Sequence, residues 1–236
     1  MSQNISLFID LLNYFGIINY IFSKTNPSTL TPKNDPYNLS SRYCAEQEHD
    51  FSRALSEIRN GQKRSCWMWY CLPTAPWVVN GTERGSSINK RYALRDLSPH
   101  NHRGTDAARA YLRYIDQDKG VNLRTNYLAL VIAIAEQLEK GISNCQLMGI
   151  LDAPKLVSSL ELFQSVSCDG FDDDVYNACT SALVVLKRVE GAASSRSSAK
   201  TSKEEEERRK NDKDKDRKVT DYFQKTLPPS EKKEET

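Results

Sequence analysis

Apolar residues recur along this chain with the period of a helix, and breaks in that recurrence divide it into segments. Over 41–59, Phe51, Ala54, Leu55 and Ile58 fall at i, i+3, i+4 and i+7, and Asn60-Gly61 supplies a stop. Around 86–97, Ile88 and Tyr92 share a face, and 105–115 reads as a helix with Thr105 or Asp106 as its N-cap. Over 126–140 the pattern turns Leu128, Val131, Ala135 and Leu138 inward and Glu136, Glu139 and Lys140 outward, ending at Gly141. Asp152 is placed to cap a helix over 153–164. The last periodic segment is the clearest. Asp172, Asp173 and Asp174 stand at its positive end, Lys187 and Arg188 at its negative end, and Val175, Ala178, Cys179, Ala182, Leu186 and Val189 form its stripe, with Gly191 beyond. Strand-like alternation occurs only at 66–73, and Asn80-Gly81 reads as a turn. The expected fold is all-α: a single compact multihelical domain over 35–191 with a disordered charged C-terminal tail over 192–236.

Residues 5–22 are mostly apolar but interrupted by Asp10, Asn13, Gly16 and Asn19, with no Lys or Arg before Lys24. That is a poor secretory signal, and Asp10 near the centre of a short span argues against membrane insertion. Residues 1–34 are therefore expected to be an added helix and linker, or a misassigned start. A membrane anchor is the minor alternative.

Charge narrows the function. Residues 1–191 hold twenty basic and twenty acidic side chains, which disfavours a strongly basic nucleic-acid-binding domain but leaves room for a local basic patch. Direct sequence-specific nucleic-acid binding is not expected. The six cysteines form no CxxC pair, and His49, His100 and His102 make no ligand pattern with them, so no metal site is expected. No cofactor is assigned, and the chain is expected to be a monomer.

The most unusual stretch is Gly61–Pro73, GQKRSCWMWYCLP. On an extended segment Trp67 and Trp69 would point one way, with Lys63, Arg64 and Ser65 upstream. That would form a stacking wall beside a cationic rim, suited to a nucleotide-derived or phosphorylated ligand. The plainer alternative is that both indoles fill the core and the basic pair sits at a helix end. A pocket here would draw on Lys63, Arg64, Ser65, Trp67, Trp69, Tyr92, Lys155, Ser158 and Ser159. Ser158 and Ser159 also suit a tight helix crossing, one bonding an i−4 carbonyl.

Asp35-Pro36-Tyr37-Asn38-Leu39, the Ala54–Gly61 helix end, KRSCWMWY, Arg91-Tyr92-Ala93-Leu94, Ala108–Leu112 and DAPKLVSSLELF at Asp152–Phe163 occur in this order. In this the chain resembles, over about 35–190, the family numbered 1810 among domains of unknown function, found in bacteria and fungi and sometimes mislabelled calpastatin. The resemblance implies a compact multihelical domain and no settled activity. The family usually has His where Cys66 stands and Gln where Thr74 stands, and the 74–85 stretch looks irregular for it. No catalytic residue is carried over, and an adaptor is expected before an enzyme.

The tail holds a second signal. Fifteen of the sixteen residues from Lys203 to Lys218 are charged, and Val219-Thr220-Asp221-Tyr222-Phe223 follows. Such a composition cannot bury enough apolar surface to order itself. Aligned on its aromatics, Asp216–Phe223 resembles the peptide by which replication and repair proteins bind the sliding clamp PCNA. Val219, Tyr222 and Phe223 fill its fourth, seventh and eighth places, which one 3₁₀ turn brings to one side. Asp216 replaces the usual Gln, so binding weaker than that of a full motif is expected, and Leu227 replaces the basic residue of the degradation-linked form. Arg208-Arg209-Lys210 and Arg217-Lys218 suit nuclear import, diluted by Asp212, Asp214 and Asp216. The expected function is a nuclear adaptor for the clamp, with the chain nuclear or cytoplasmic, and the alternative is an enzyme or sensor for a nucleotide-derived or phosphorylated small molecule at Trp67/Trp69.

Overall fold

The computed structural model describes residues 29–98 and 101–191. The apolar stretch 5–22, His100 and the tail with Val219–Phe223 lie outside the described residues. The chain forms two units, one ending at Val189, and of the unit that follows only Glu190 and Gly191 are described.

Chain entry is set by Asp35, whose carboxylate accepts from the amides of Leu39 (2.7 Å) and Ser40 (2.9 Å). A π-turn over Ser40–Cys44 then runs into α1 (Ala45–Arg59). Ala54 and Ile58 are buried, with Phe51 and Leu55 packed beside them, as the periodicity requires. Gly61 ends the helix at φ +81, a left-handed conformation that glycine adopts without steric cost.

The 66–73 stretch is not extended. Trp67 is already in the right-handed helical region and caps α2 (Met68–Cys71), so the alternation there is one short helical turn with two buried sides. Antiparallel β1 (Val78–Val79) and β2 (Thr82–Glu83) follow, joined by Asn80 and Gly81, both at positive φ. That is the two-residue hairpin turn the Asn-Gly pair favours. In α3 (Ser87–Tyr92), capped by Ser86, Tyr92 is buried but Ile88 faces solvent, so the two do not share a buried face.

Helix α4 (Thr105–Leu112) starts differently from the expectation. Its N-cap is Gly104 at φ +70, not Thr105 or Asp106. The carboxylate of distant Asp96 accepts from the amides of Thr105, Asp106 and Ala107 at 2.8–3.2 Å. A hairpin of β3 (Ile115–Asp116) and β4 (Val121–Asn122) leads into α5 (Leu123–Glu139), whose cap Asn122 accepts from Thr125 N. Leu128, Val131 and Leu138 are buried as expected, Ala135 is half-buried, and Gly141 at φ +89 follows the helix. Ser143 and Gln146 form a capping box on α6 (Asn144–Met148), and α7 (Ala153–Ser167) follows. A last helix, α8, begins at 173. Arg124 forks onto Asp172 (2.6 and 2.8 Å) and reaches Asp174 (2.8 Å), while Asp172 also accepts from Val175 N. On α8, Val175, Cys179, Ala182 and Leu186 are buried.

The result is a mostly helical domain with two small two-stranded ladders. Helix α1 packs chiefly on α5, and α4 on α7. Between them Tyr43, Tyr111, Tyr127 and Phe163 are fully buried, with centroids 4.1–6.4 Å apart along the chain of rings. One amide sits inside this core. Gln47 donates to the Tyr70 carbonyl (2.6 Å) and the Tyr111 hydroxyl (2.9 Å), and accepts from Asn126 (2.9 Å). Cys44, Cys71 and Cys179 are buried small hydrophobes, and burial pushes the Cys44 and Cys179 thiols up to about 12.

Candidate functional site

The turn at Gly61 brings residues 62–67 back along the end of α1, and the Lys63 amide donates to the Leu147 carbonyl (2.7 Å) to hold them there. Glu57, on the last turn of α1, gathers the returning chain. One of its oxygens accepts from Arg64 N (2.8 Å), Ser65 N (3.1 Å) and the Trp67 indole N–H (2.7 Å), and the other accepts from the Ser65 hydroxyl (2.6 Å). Burial opposes its charge, but the four bonds outweigh that and hold the Glu57 carboxyl down to about 2. Trp67 is fully buried. Its ring fills the core, and its one polar atom is satisfied by Glu57.

Asp152 gathers a second set. Lys63 Nζ lies 2.6 Å from one of its oxygens and Lys155 Nζ 2.7 Å from the other. Lys155 Nζ also stands 3.6 Å from the centroid of half-buried Trp69, and Lys63 Nζ 5.4 Å from that of Trp67. Burial raises the Asp152 pKa, but the bonds from Lys155 and Lys63 prevail and hold it below the usual carboxylate range. Asp152 stands at the N-cap of α7 without a side-chain bond to the helix's backbone amides, because its oxygens are committed to the lysines. The expected capping role is therefore replaced by ion pairing.

The structure thus brings Lys63, Trp67, Trp69 and Lys155 together around an aspartate that the sequence marked only as a cap. The other candidates lie apart from that aspartate. Tyr92 belongs to the tyrosine cluster, 5.5 Å from Tyr70 and donating to Glu46 (2.7 Å). The Ser158 hydroxyl donates to the Pro154 carbonyl four residues back (3.2 Å), and Ser159 is buried at the crossing with α5, 3.4 Å from the Tyr127 hydroxyl. Arg64 is exposed. It lines a depression of about 290 Å³ with Arg53, Ser56, Glu57, Asn60 and Gln62. Arg53, Ser56 and Glu57 on α1 and its C-cap Asn60 fall at i, i+3, i+4 and i+7, so this polar face was readable as a stripe, but nothing local said that the chain returns over it.

Among the described residues no three His, Cys, Asp or Glu side chains converge as a metal site, and no helix is long and apolar enough to cross a membrane.

A family model described as "Protein of unknown function (DUF1810)" matches residues 36–183. No curated protein matches the chain. Among solved structures, the conserved hypothetical protein Rv1873 from Mycobacterium tuberculosis is similar at 22% identity with a TM-score of 0.48, over 67% of this chain and 97% of that one.

Proposed function

This chain belongs to that family of unknown function, DUF1810, and we propose that it is an adaptor that carries the family's helical domain to a PCNA-type sliding clamp in the nucleus. The observation that carries the reading is the spacing of Val219, Tyr222 and Phe223 directly after a charged run. At i, i+3 and i+4, one 3₁₀ turn on the clamp would bring these three side chains to one side against an apolar groove, each contributing roughly 1.5–3 kcal/mol when buried, before ordering costs. Arg217 and Lys218 steer the peptide to an acidic surface, and Thr220-Asp221 fits the same pattern. The domain supports an adaptor in a second way: Trp67, Tyr92 and Ser159 are buried, and Lys63 and Lys155 are both engaged on Asp152. Fluorescence anisotropy of a 212–230 peptide, with the full chain as competitor, tests this. We expect micromolar binding to the clamp, weakened at least tenfold by Tyr222→Ala/Phe223→Ala. Absence of binding at high micromolar clamp defeats the reading.

The depression beside Arg64 favours a second reading, a sensor or enzyme for a nucleotide-derived or phosphorylated small molecule. The Arg64 guanidinium, with Ser56, Asn60 and Gln62, offers donors to phosphate oxygens, while Arg53 is paired with Asp50 and the Glu57 carboxylate is held by its four donors. Thermal shift of the full chain against nucleotides and sugar phosphates should then give a stabilisation that Arg64→Ala removes while the ligand-free melting temperature is kept. A panel with no shift ends that reading.

A further inference from the structure

The β1–β2 hairpin places a tryptophan where no folding argument needs one. Trp77 is 61% exposed, an unusual state for the largest apolar side chain. Trp77 and Val79 alternate with Val78, so they share the outer face of the ribbon, while Val78 and its partner Glu83 face inward. Arg84 is bound back to Trp77, its amide donating to the Trp77 carbonyl at 2.7 Å.

The segment that begins with this ring is one-sided in charge. Residues 77–103 hold Arg84, Lys90, Arg91, Arg95 and Arg103 against Glu83 and Asp96, a net of +3, whereas residues 1–191 as a whole are balanced. Both acidic groups are engaged. Glu83 is paired with Arg95, and Asp96, 7% exposed, turns its carboxylate into the start of α4. Arg84, Lys90 and Arg103 are exposed and make no ion pair among the described residues, and Arg91 reaches Glu46 only at 3.5 Å. The hairpin therefore presents a ring face with the unpaired Arg84 directly across the ladder from it, and the segment that follows carries further unpaired cations.

We infer that this hairpin binds single-stranded nucleic acid, with Trp77 stacking on a base, Arg84 beside it neutralising a flanking phosphate, and Lys90 of the following helix extending the cationic track. On the hairpin itself the exposed apolar surface is the indole and Val79, which matches a single base and is small for the apolar centre of a protein interface. Stacking reads no base edge, so the binding is independent of sequence, and it goes beyond the tail's proposed role. Ile88 and Leu97, exposed in the same stretch, make an anionic membrane the competing partner, and an acidic peptide is the other.

Anisotropy of a labelled twenty-residue oligothymidylate with the full-length chain at 50 mM NaCl is the test. Binding in the micromolar range is expected. Trp77→Ala should weaken it roughly 5- to 100-fold, the cost of one lost stack, and Trp77→Phe should retain most of it. Arg84→Ala/Lys90→Ala should lower the slope of log affinity against log salt by about 1.4. Circular dichroism of each variant reports the fold, and only folded variants are compared. Equal binding by wild type and Trp77→Ala overturns the inference, because the ring would then contribute nothing. Absence of binding at 100 µM overturns it too. So does tighter binding to polyglutamate or to phosphatidylserine vesicles than to the oligonucleotide.

Discussion

A Gly104→Ala chain should melt roughly 10 °C below wild type, a loss of about 3–5 kcal/mol. Two costs add at this position. At φ +70 an L-residue strains its own backbone by about 1–2 kcal/mol. The added Cβ would also lie 2.4 Å from the Leu94 carbonyl oxygen, with the Ala75 Cβ at 3.3 Å on another side. Neither obstacle is a side-chain end that can rotate away. Leu94 is fixed through its amide to the Thr74 carbonyl (2.9 Å), and two residues later Asp96 is fixed to α4. The clash must therefore be relieved by moving backbone, as in an overpacked core. Gly120→Ala is the control: at φ +64 with open space around it, it carries only the first cost, about 1–2 kcal/mol. Urea unfolding monitored by circular dichroism separates the two, and near-equal losses would show that the Leu94 contact does not matter.

Glu57→Ala is expected to cost about 3 kcal/mol, because it removes the acceptor of four donors and leaves the buried indole N–H of Trp67 unpartnered. Glu57→Gln should cost less, about 1–2 kcal/mol. Its carbonyl can take the place of the oxygen that faces three N–H groups, and its amide can then donate to the Ser65 hydroxyl. What it loses is the charge. The pH dependence follows from the sign of the pKa shift. The folded carboxyl titrates near 2, below the unfolded glutamate value of about 4.3. Its stabilisation is full above the unfolded value and fades as pH falls from about 5 towards 2. The melting temperature of wild type should therefore drop faster in acid than that of Glu57→Gln, and the two curves should converge near pH 2. Parallel curves would mean that Glu57 acts through shape alone.

Elements whose cause is local were legible in the sequence. The stripe from Val175 to Leu186 and that from Leu128 to Leu138 are set by burial of one helix face, which leaves its period in the residues. Asn80-Gly81 and Gly141 announce backbone conformations that few other residues tolerate. What was hidden depends on partners distant along the chain. Thr105 and Asp106 look like caps because capping is usually local, yet Asp96 does the work from nine to eleven residues away. Asp152 looks like a cap for the same reason and is taken by Lys63, which lies 89 positions before it. Trp67 and Trp69 alternate in sequence, but a four-residue helix is too short to print its own period. The candidate site was half legible: the sequence marked the lysines and indoles, but it marked Asp152 only as a cap and Glu57 not at all, and these are the acids that gather them.

The Gln47 amide, wedged among aromatic rings, limits how this scaffold can be rebuilt. Its three bonds, to Tyr70, Tyr111 and Asn126, are satisfied in one alignment of the helices that meet there. Rotating or sliding α1 by a step would strand an amide in oil, whereas a leucine there would tolerate several alignments. An engineer who greased this junction to harden the protein would trade one defined architecture for a choice of several.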